Sequence, residues 1–201
     1  MKVELHLHTS RYSACAKATP FELMEALIGH GYDAVFITEH DCIWPDWELK
    51  QLQEEFQDIK IFPGVELSLG PNQAQHLLVL GTQDSQYIEL RETPARILEK
   101  ACGDGDVTIL AHPFRWAGSS DLLDNGHIPD ALEHLTCNHK SNHAKLSLAA
   151  AELFSLPVVN AGDVHALEFV DRFWIETESP LEEARDIRDI LVNRRFRNCL
   201  K

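Results

Sequence analysis

Val3-Glu4-Leu5-His6-Leu7-His8 alternates apolar and polar residues, then gives way to a polar stretch from Thr9 to Lys17. Period two predicts a strand, and the polar stretch a loop. Thr19-Pro20 reads as the N-cap and first residue of a helix, with Glu22 in its first turn. Phe21, Met24, Leu27 and Ile28 recur at helical spacing, and Gly29 and Gly31 mark the end. Ala34 to Thr38 is a short apolar run, a buried strand that leads into Glu39-His40-Asp41. The polar segment from Asp46 to Phe56 is helical in pattern, and Ile59 to Glu66 is the next strand.

His76 opens another apolar strand that runs to Leu80, and residues 85–101 carry a broken helical pattern. Val107 to Ala111 forms a strand running into His112-Pro113, and residues 130–135 a short strand. His143 to Phe154 is rich in alanine and leucine and predicts a helix. Leu156 to Gly162 leads as a strand into Asp163 and His165, and Phe173-Trp174-Ile175 is a short strand. Pro180 to Phe196 reads as a final helix, opened by Glu182 and Glu183 and closed by Arg194, Arg195 and Arg197, the order a helix dipole favours.

Strands alternating with helices predict an α/β fold with a mostly parallel sheet. No Gly/Ser/Pro-rich linker or internal repeat divides the chain, so residues 1–201 are expected to form one domain. The longest irregular piece, Trp116 to Gly126, is a candidate border of a site. Apolar residues make up 44% and charged residues 25%, which argues against disorder or a small disulfide scaffold. No apolar run approaches the roughly 18–20 residues of a membrane span, and residues 1–8 read as a strand where a signal peptide would be apolar. The five cysteines are scattered and form no CxxC pair, so reduced thiols and a cytoplasmic location are expected. The net charge of −14 argues against a long nucleic-acid partner, which requires a basic surface.

The eleven histidines change the picture through their positions. His6 and His8, His40, Glu66 and His112 each stand where a predicted strand ends, and Asp163 and His165 follow a fifth strand. Residues at strand C-termini converge on the ligand site in barrels and open α/β sheets. His6 and His8 are two apart and share a face, as do Asp163 and His165. Imidazole mixed with carboxylate, without a cysteine cluster, suits zinc, manganese or iron better than magnesium or calcium. His30, His127, His134, His139 and His143 fall outside this pattern and are expected to be solvated.

His6-Leu7-His8-Thr9, Ile37-Thr38-Glu39-His40-Asp41, Pro63-Gly64-Val65-Glu66, Ala111-His112-Pro113 and Ala161-Gly162-Asp163-Val164-His165 resemble, in order, the motifs of the PHP (polymerase and histidinol phosphatase) superfamily. The resemblance covers essentially the whole chain. It implies a distorted (β/α)7 barrel with two or three divalent ions at the C-terminal ends of its strands, and metal-dependent phosphoesterase activity. It further implies that His6, His8, Glu66 and Asp163 hold one ion, that Glu66 bridges to a second held by His76 and His112, and that His40 and His165 serve a third. Many relatives carry an aspartate or histidine in the loop after the HxH pair. Here that loop reads Ser10-Arg11-Tyr12-Ser13-Ala14-Cys15-Ala16, which leaves only the Cys15 thiol as a substitute.

The expected chemistry is hydrolysis of a small phosphoester or a nucleotide by a metal-activated water, with Glu66, Asp163 and His165 as catalytic groups. Arg115 and Arg11, each a few residues from an expected ligand, are candidates to clamp the phosphate. Trp44, Trp47 and Trp116 are candidates to stack on a base or an aromatic leaving group, and Asp41 to orient its neighbour His40. Two alternatives stand beside this reading: a nuclease that trims short oligonucleotides, and a metal-stabilised regulatory domain without turnover.

Overall fold

The computed structural model describes residues 1–70 and 72–201. Its elements in chain order are β1 (Lys2–Leu7), α1 (Pro20–Gly29), β2 (Ala34–Ile37), α2 (Asp46–Glu55), β3 (Lys60–Leu69), β4 (Gln75–Leu80), α3 (Gln86–Glu89), α4 (Pro94–Asp104), β5 (Val107–Ala111), α5 (Asp121–Asp124), β6 (Ala131–Glu133), α6 (Ser141–Phe154), β7 (Val158–Val159), β8 (Phe173–Thr177), α7 (Asp186–Val192) and β9 (Phe196–Leu200). The strands form one nine-stranded sheet in the order β7-β6-β5-β4-β3-β2-β1-β8-β9. Pairs β1–β2, β2–β3, β5–β6 and β6–β7 are parallel, whereas β4 and β8 run against their neighbours on both sides.

The sheet curls until its ends meet. Val164, just past β7, donates to His6 O at 3.0 Å and accepts from His8 N at 2.9 Å, which joins the far end of the sheet to β1. Asn160 adds a tie to β9 by donating from its backbone N to Asn198 Oδ1 and from Nδ2 to Cys199 O. The result is a nearly closed, distorted barrel, as the resemblance implies.

Side chains sort by face. Val3, Leu5, Phe36, Leu80, Ile109 and Val159 fill the barrel together with Ile187, Ile190 and Leu191 of α7, which plugs one end. Val35 and Ile37 face α1 and α2, and Leu67, Leu77 and Leu110 face α4 and α6. In β1 the register with β2 slips between Glu4 and Leu7. Leu5 therefore stays with Val3 in the barrel, while Leu7 joins Val35 and Ile37 outside. A bulge re-aims the side chains beyond it, here His6 and His8.

Helix α1 starts as its sequence predicts: Thr19 and Glu22 form a reciprocal capping box, with Pro20 at the first position. Phe21, expected on its apolar face, is instead 53% exposed, and Leu23 takes the buried position beside Met24 and Leu27. The predicted final helix is also corrected. Only Asp186–Val192 is helical, the chain reverses at Arg194 with a left-handed φ of 56°, and Phe196 to Leu200 pairs antiparallel with β8. The Arg194-Arg195-Phe196-Arg197 run thus belongs to a turn and an outer strand, where Arg197 meets Glu176 across the pair. Among the described residues no helix is long and apolar enough to cross a membrane.

Candidate metal centre

The barrel end opposite α7 collects the polar residues. His6 and His8 leave β1, His40 follows β2, Glu66 lies in β3, His112 follows β5, and Asp163 and His165 follow β7. His76 sits near the start of β4. Because β4 is antiparallel, its start lies beside the ends of its neighbours, and His76 is in register with Ser68 and Ala111.

Glu66 is the hub. Its Oε1 lies 2.7 Å from His76 Nδ1 and 3.0 Å from His112 Nε2. Its Oε2 lies 2.9 Å from His40 Nδ1, 3.1 Å from His8 Nε2 and 3.3 Å from His6 Nε2. Asp163 Oδ1 lies 3.2 Å from His165 Nδ1 and 3.5 Å from His6 Nε2. All eight expected ligands fall into overlapping triads whose donor atoms lie within 4.8 Å of one another: His6-His8-Asp163, His6-Glu66-His112, His40-Glu66-His76 and His8-His40-His165.

The donor set fits divalent ions on two counts. Glu66 Oε2 and Asp163 Oδ1 are buried yet no neighbour is aligned to hydrogen-bond them, a costly state for a carboxylate oxygen. His6 Nε2 and His8 Nε2 face each other at 2.9 Å, an arrangement that points nitrogen lone pairs at a common space.

Charge tells the same story. Burial alone would raise the Glu66 and Asp163 carboxyls, but the charge of His6 and the surrounding imidazoles hold both well below the ordinary carboxylate range. His6 answers in kind: burial opposes its charged form, but Asp163, Glu66 and Glu133 lift it well above the ordinary histidine value. His76 is raised too, burial being outweighed by Glu66. In such a site protons and metal ions compete for the same atoms.

Three supporting residues escaped the sequence reading. Glu133, fully buried at the end of β6, has Oε1 2.8 Å from His6 Nδ1, while its Oε2 accepts from His112 N at 2.6 Å. A carboxylate there fixes the His6 tautomer so that Nε2 faces the centre. Ser13 Oγ lies 3.2 Å from His8 Nδ1 and donates to Glu39. Asn138 Nδ2 donates to Asp163 Oδ2 at 2.6 Å. Glu133 falls inside the predicted strand 130–135, and the observed strand ends at it, so no strand-end signal exposed it in the sequence. Asp41, expected to orient His40, instead accepts from Ser68 N through Oδ1 at 2.9 Å.

A cleft of about 340 Å³ opens over the centre, lined by His40, His76, His112, Asp163 and His165 at its floor and by Cys15, Lys17, Arg115, Trp116 and Phe169 at its walls. Arg115 reaches to 3.7 Å from Asp163 Oδ2 and stacks over the Trp116 ring at 4.2 Å. Trp116 in turn lies 5.4 Å from both the His76 and His112 rings. Arg11 lies elsewhere: its guanidinium pairs with Glu48 and lines a separate groove with Phe21 and Trp47. Trp44 is buried and donates to Glu39. Cys15 is an exposed, unpaired thiol at the cleft, and the metal-capable triads do not include it. Of the histidines expected to be solvated, His143 is buried and His139 is bonded through both ring nitrogens.

No family model matches the chain, and no curated protein matches it. Solved structures do. A two-domain protein from Bacteroides vulgatus containing a predicted PHP-like metal-dependent phosphoesterase superposes with a TM-score of 0.74 at 17% identity, over 100% of this chain and 64% of that one. PsfC from Pseudomonas syringae gives 0.70 at 19% identity, over 100% and 91%. The lesion-specific endonuclease PfuEndoQ from Pyrococcus furiosus gives 0.66 at 18% identity, over 96% and 56%. The chain thus shares the fold of these proteins, and its own distorted barrel carries the polar cluster at the strand ends. It spans about two thirds of the first of these proteins and just over half of the last.

Proposed function

We propose that this chain hydrolyses a small phosphoester or a nucleotide at a centre of two or three zinc, manganese or iron ions. The observation that carries this reading is the convergence of eight imidazole and carboxylate groups, two of whose buried oxygens lack partners, on the floor of a cleft. His6, His8 and Asp163 would hold one ion; Glu66, with each oxygen facing a different set of histidines, would bridge to a second at His76 and His112; His40 and His165 are left for a third. Divalent ions there offset the negative oxygens of a phosphate and acidify water.

The chain's own residues do the rest. Arg115, 28% exposed and beside Asp163, meets the phosphate with a planar fork of donors. The Asp163 backbone carbonyl lies 3.1 Å from His165 Nδ1, an orientation in which His165 Nε2 would be placed to pass a proton to a leaving oxygen when two ions are bound. Glu133 and Ser13 keep His6 and His8 turned inward.

A nucleic-acid end as substrate is the second reading, favoured by the fold shared with an endonuclease and by Trp116, 44% exposed at the cleft. The test is elemental analysis of protein purified without chelator, paired with hydrolysis of a chromogenic phosphoester and of short labelled oligonucleotides. Two or more ions per chain with turnover support the proposal, and the preferred substrate separates its two forms. One ion or none, with no turnover after manganese, zinc or iron is restored, sinks it in favour of a regulatory domain.

A further inference from the structure

The turn that carries His112 into the centre is strained. His112 (φ 26°) and Phe114 (φ 69°) both have left-handed backbone although neither is glycine. Such residues persist only where their surroundings over-determine them. Glu133 supplies one restraint through its bond to His112 N. The other comes from His139, in the loop after β6, whose ring spans the gap between two loops: Nδ1 lies 2.7 Å from His134 O and Nε2 lies 2.9 Å from Pro113 O. Carbonyl oxygens only accept, so both ring nitrogens must donate, and a neutral imidazole carries a single N–H.

We propose that His139 is a positioning residue held as an imidazolium, a clasp that pins the His112-Pro113-Phe114 turn so that His112 faces Glu66 and Arg115 faces Asp163. The function of the clasp rests on the reading of His112 as a metal ligand. The titratable groups that bear on the His139 ring are His134 and His143, the latter with its ring 5.7 Å away, and Lys140 adjoins it in sequence. All are cationic or neutral and none favours the imidazolium, so its stabilisation falls to the two carbonyls it bonds. Loss of one proton turns a lone pair on a carbonyl, breaks one half of the clasp and releases the strained turn.

The test starts with nitrogen-15 NMR of the His139 ring in the metal-free protein at neutral pH. Two protonated-type nitrogens support the clasp; one pyridine-type nitrogen overturns it. His139→Gln, which cannot donate in both directions from one planar ring, is then titrated with Mn²⁺ alone. Weakening of binding by about 10–100-fold, the usual effect of losing a ligand-orienting residue, supports the positioning role, and wild-type affinity in the variant overturns it. Failure of the wild type itself to bind Mn²⁺ refutes the metal-centre reading and not the clasp, which the ring nitrogens judge separately. If the variant does not fold, the Trp116 indole signal of the wild type is followed through the His139 titration: a shared midpoint supports the coupling, and independent behaviour overturns it.

Discussion

The two ends of the barrel are built from the same strands and obey opposite rules. At the α7 end, Val3, Phe36, Leu80 and Ile109 meet Ile187 and Ile190 in an apolar plug, and every buried methylene adds stability. At the other end, Glu66, Asp163, Glu133, His6 and His8 are buried just as completely, where unpaired charge costs free energy unless cations arrive. One end therefore holds the barrel together, and the other depends on being held.

The sharpest way to break the comparison is at the plug. Phe36→Ala, removing a fully buried ring that packs on Phe62, should cost about 3–5 kcal/mol in denaturant unfolding, with metal stoichiometry unchanged in the folded fraction. At the opposite end Asp163→Ala should reverse the pattern. Turnover should fall by more than the roughly 100-fold that loss of a supporting residue costs, while the metal-free protein loses less stability than Phe36→Ala does, because Glu66 and Glu133 still compensate the His6 charge. A fall in metal-free stability to match Phe36→Ala would erase the distinction between the ends.

The strand-end ligands were legible because each follows an apolar run long enough to set a phase. His40 and His112 stand immediately beyond such runs, and the bulge that slips the β1 register leaves His6 and His8 on one face. Other features had no such phase. β6 has three residues, too few to show that Glu133 points inward. The apolar positions Ile187, Ile190 and Leu191 suit a helix, and nothing local announces the reversal at Arg194 that turns the following residues into β9. His139 gave no signal, because its partners are backbone carbonyls of distant residues.

Two smaller effects refine the comparison. Glu133→Gln keeps the shape but weakens the hold on His6, so metal affinity by chelator competition should drop about 10–100-fold with little change in fold. Lys2, at the start of β1, pairs with Asp171 and lies over the Tyr32 and Trp174 rings. Burial pushes the Asp171 carboxyl up, but Lys2 and Lys201 outweigh it and leave it below its ordinary value. Its contribution is therefore present above the unfolded carboxyl pKa and lost as pH falls through the lowered folded one. Lys2→Met should cost about 1 kcal/mol at neutral pH and progressively less in acid, read from urea midpoints across pH; an equal cost at every pH would assign the loss to packing.

The antiparallel run of β4 has a consequence for how the molecule assembles. Glu66 and His76 are separated by ten positions on adjoining strands, so this pair forms with a short loop to close. Asp163 reaches His6 only when Val164 docks on β1, across nearly the whole chain. Short-range contacts form early and long-range ones late. The cradle at Glu66 and His76 is then a local product of one pair of neighbouring strands, while the pocket of His6, His8 and Asp163 exists only once the segment after β7 has docked on β1. A metal ion captured there marks a barrel whose seam has closed.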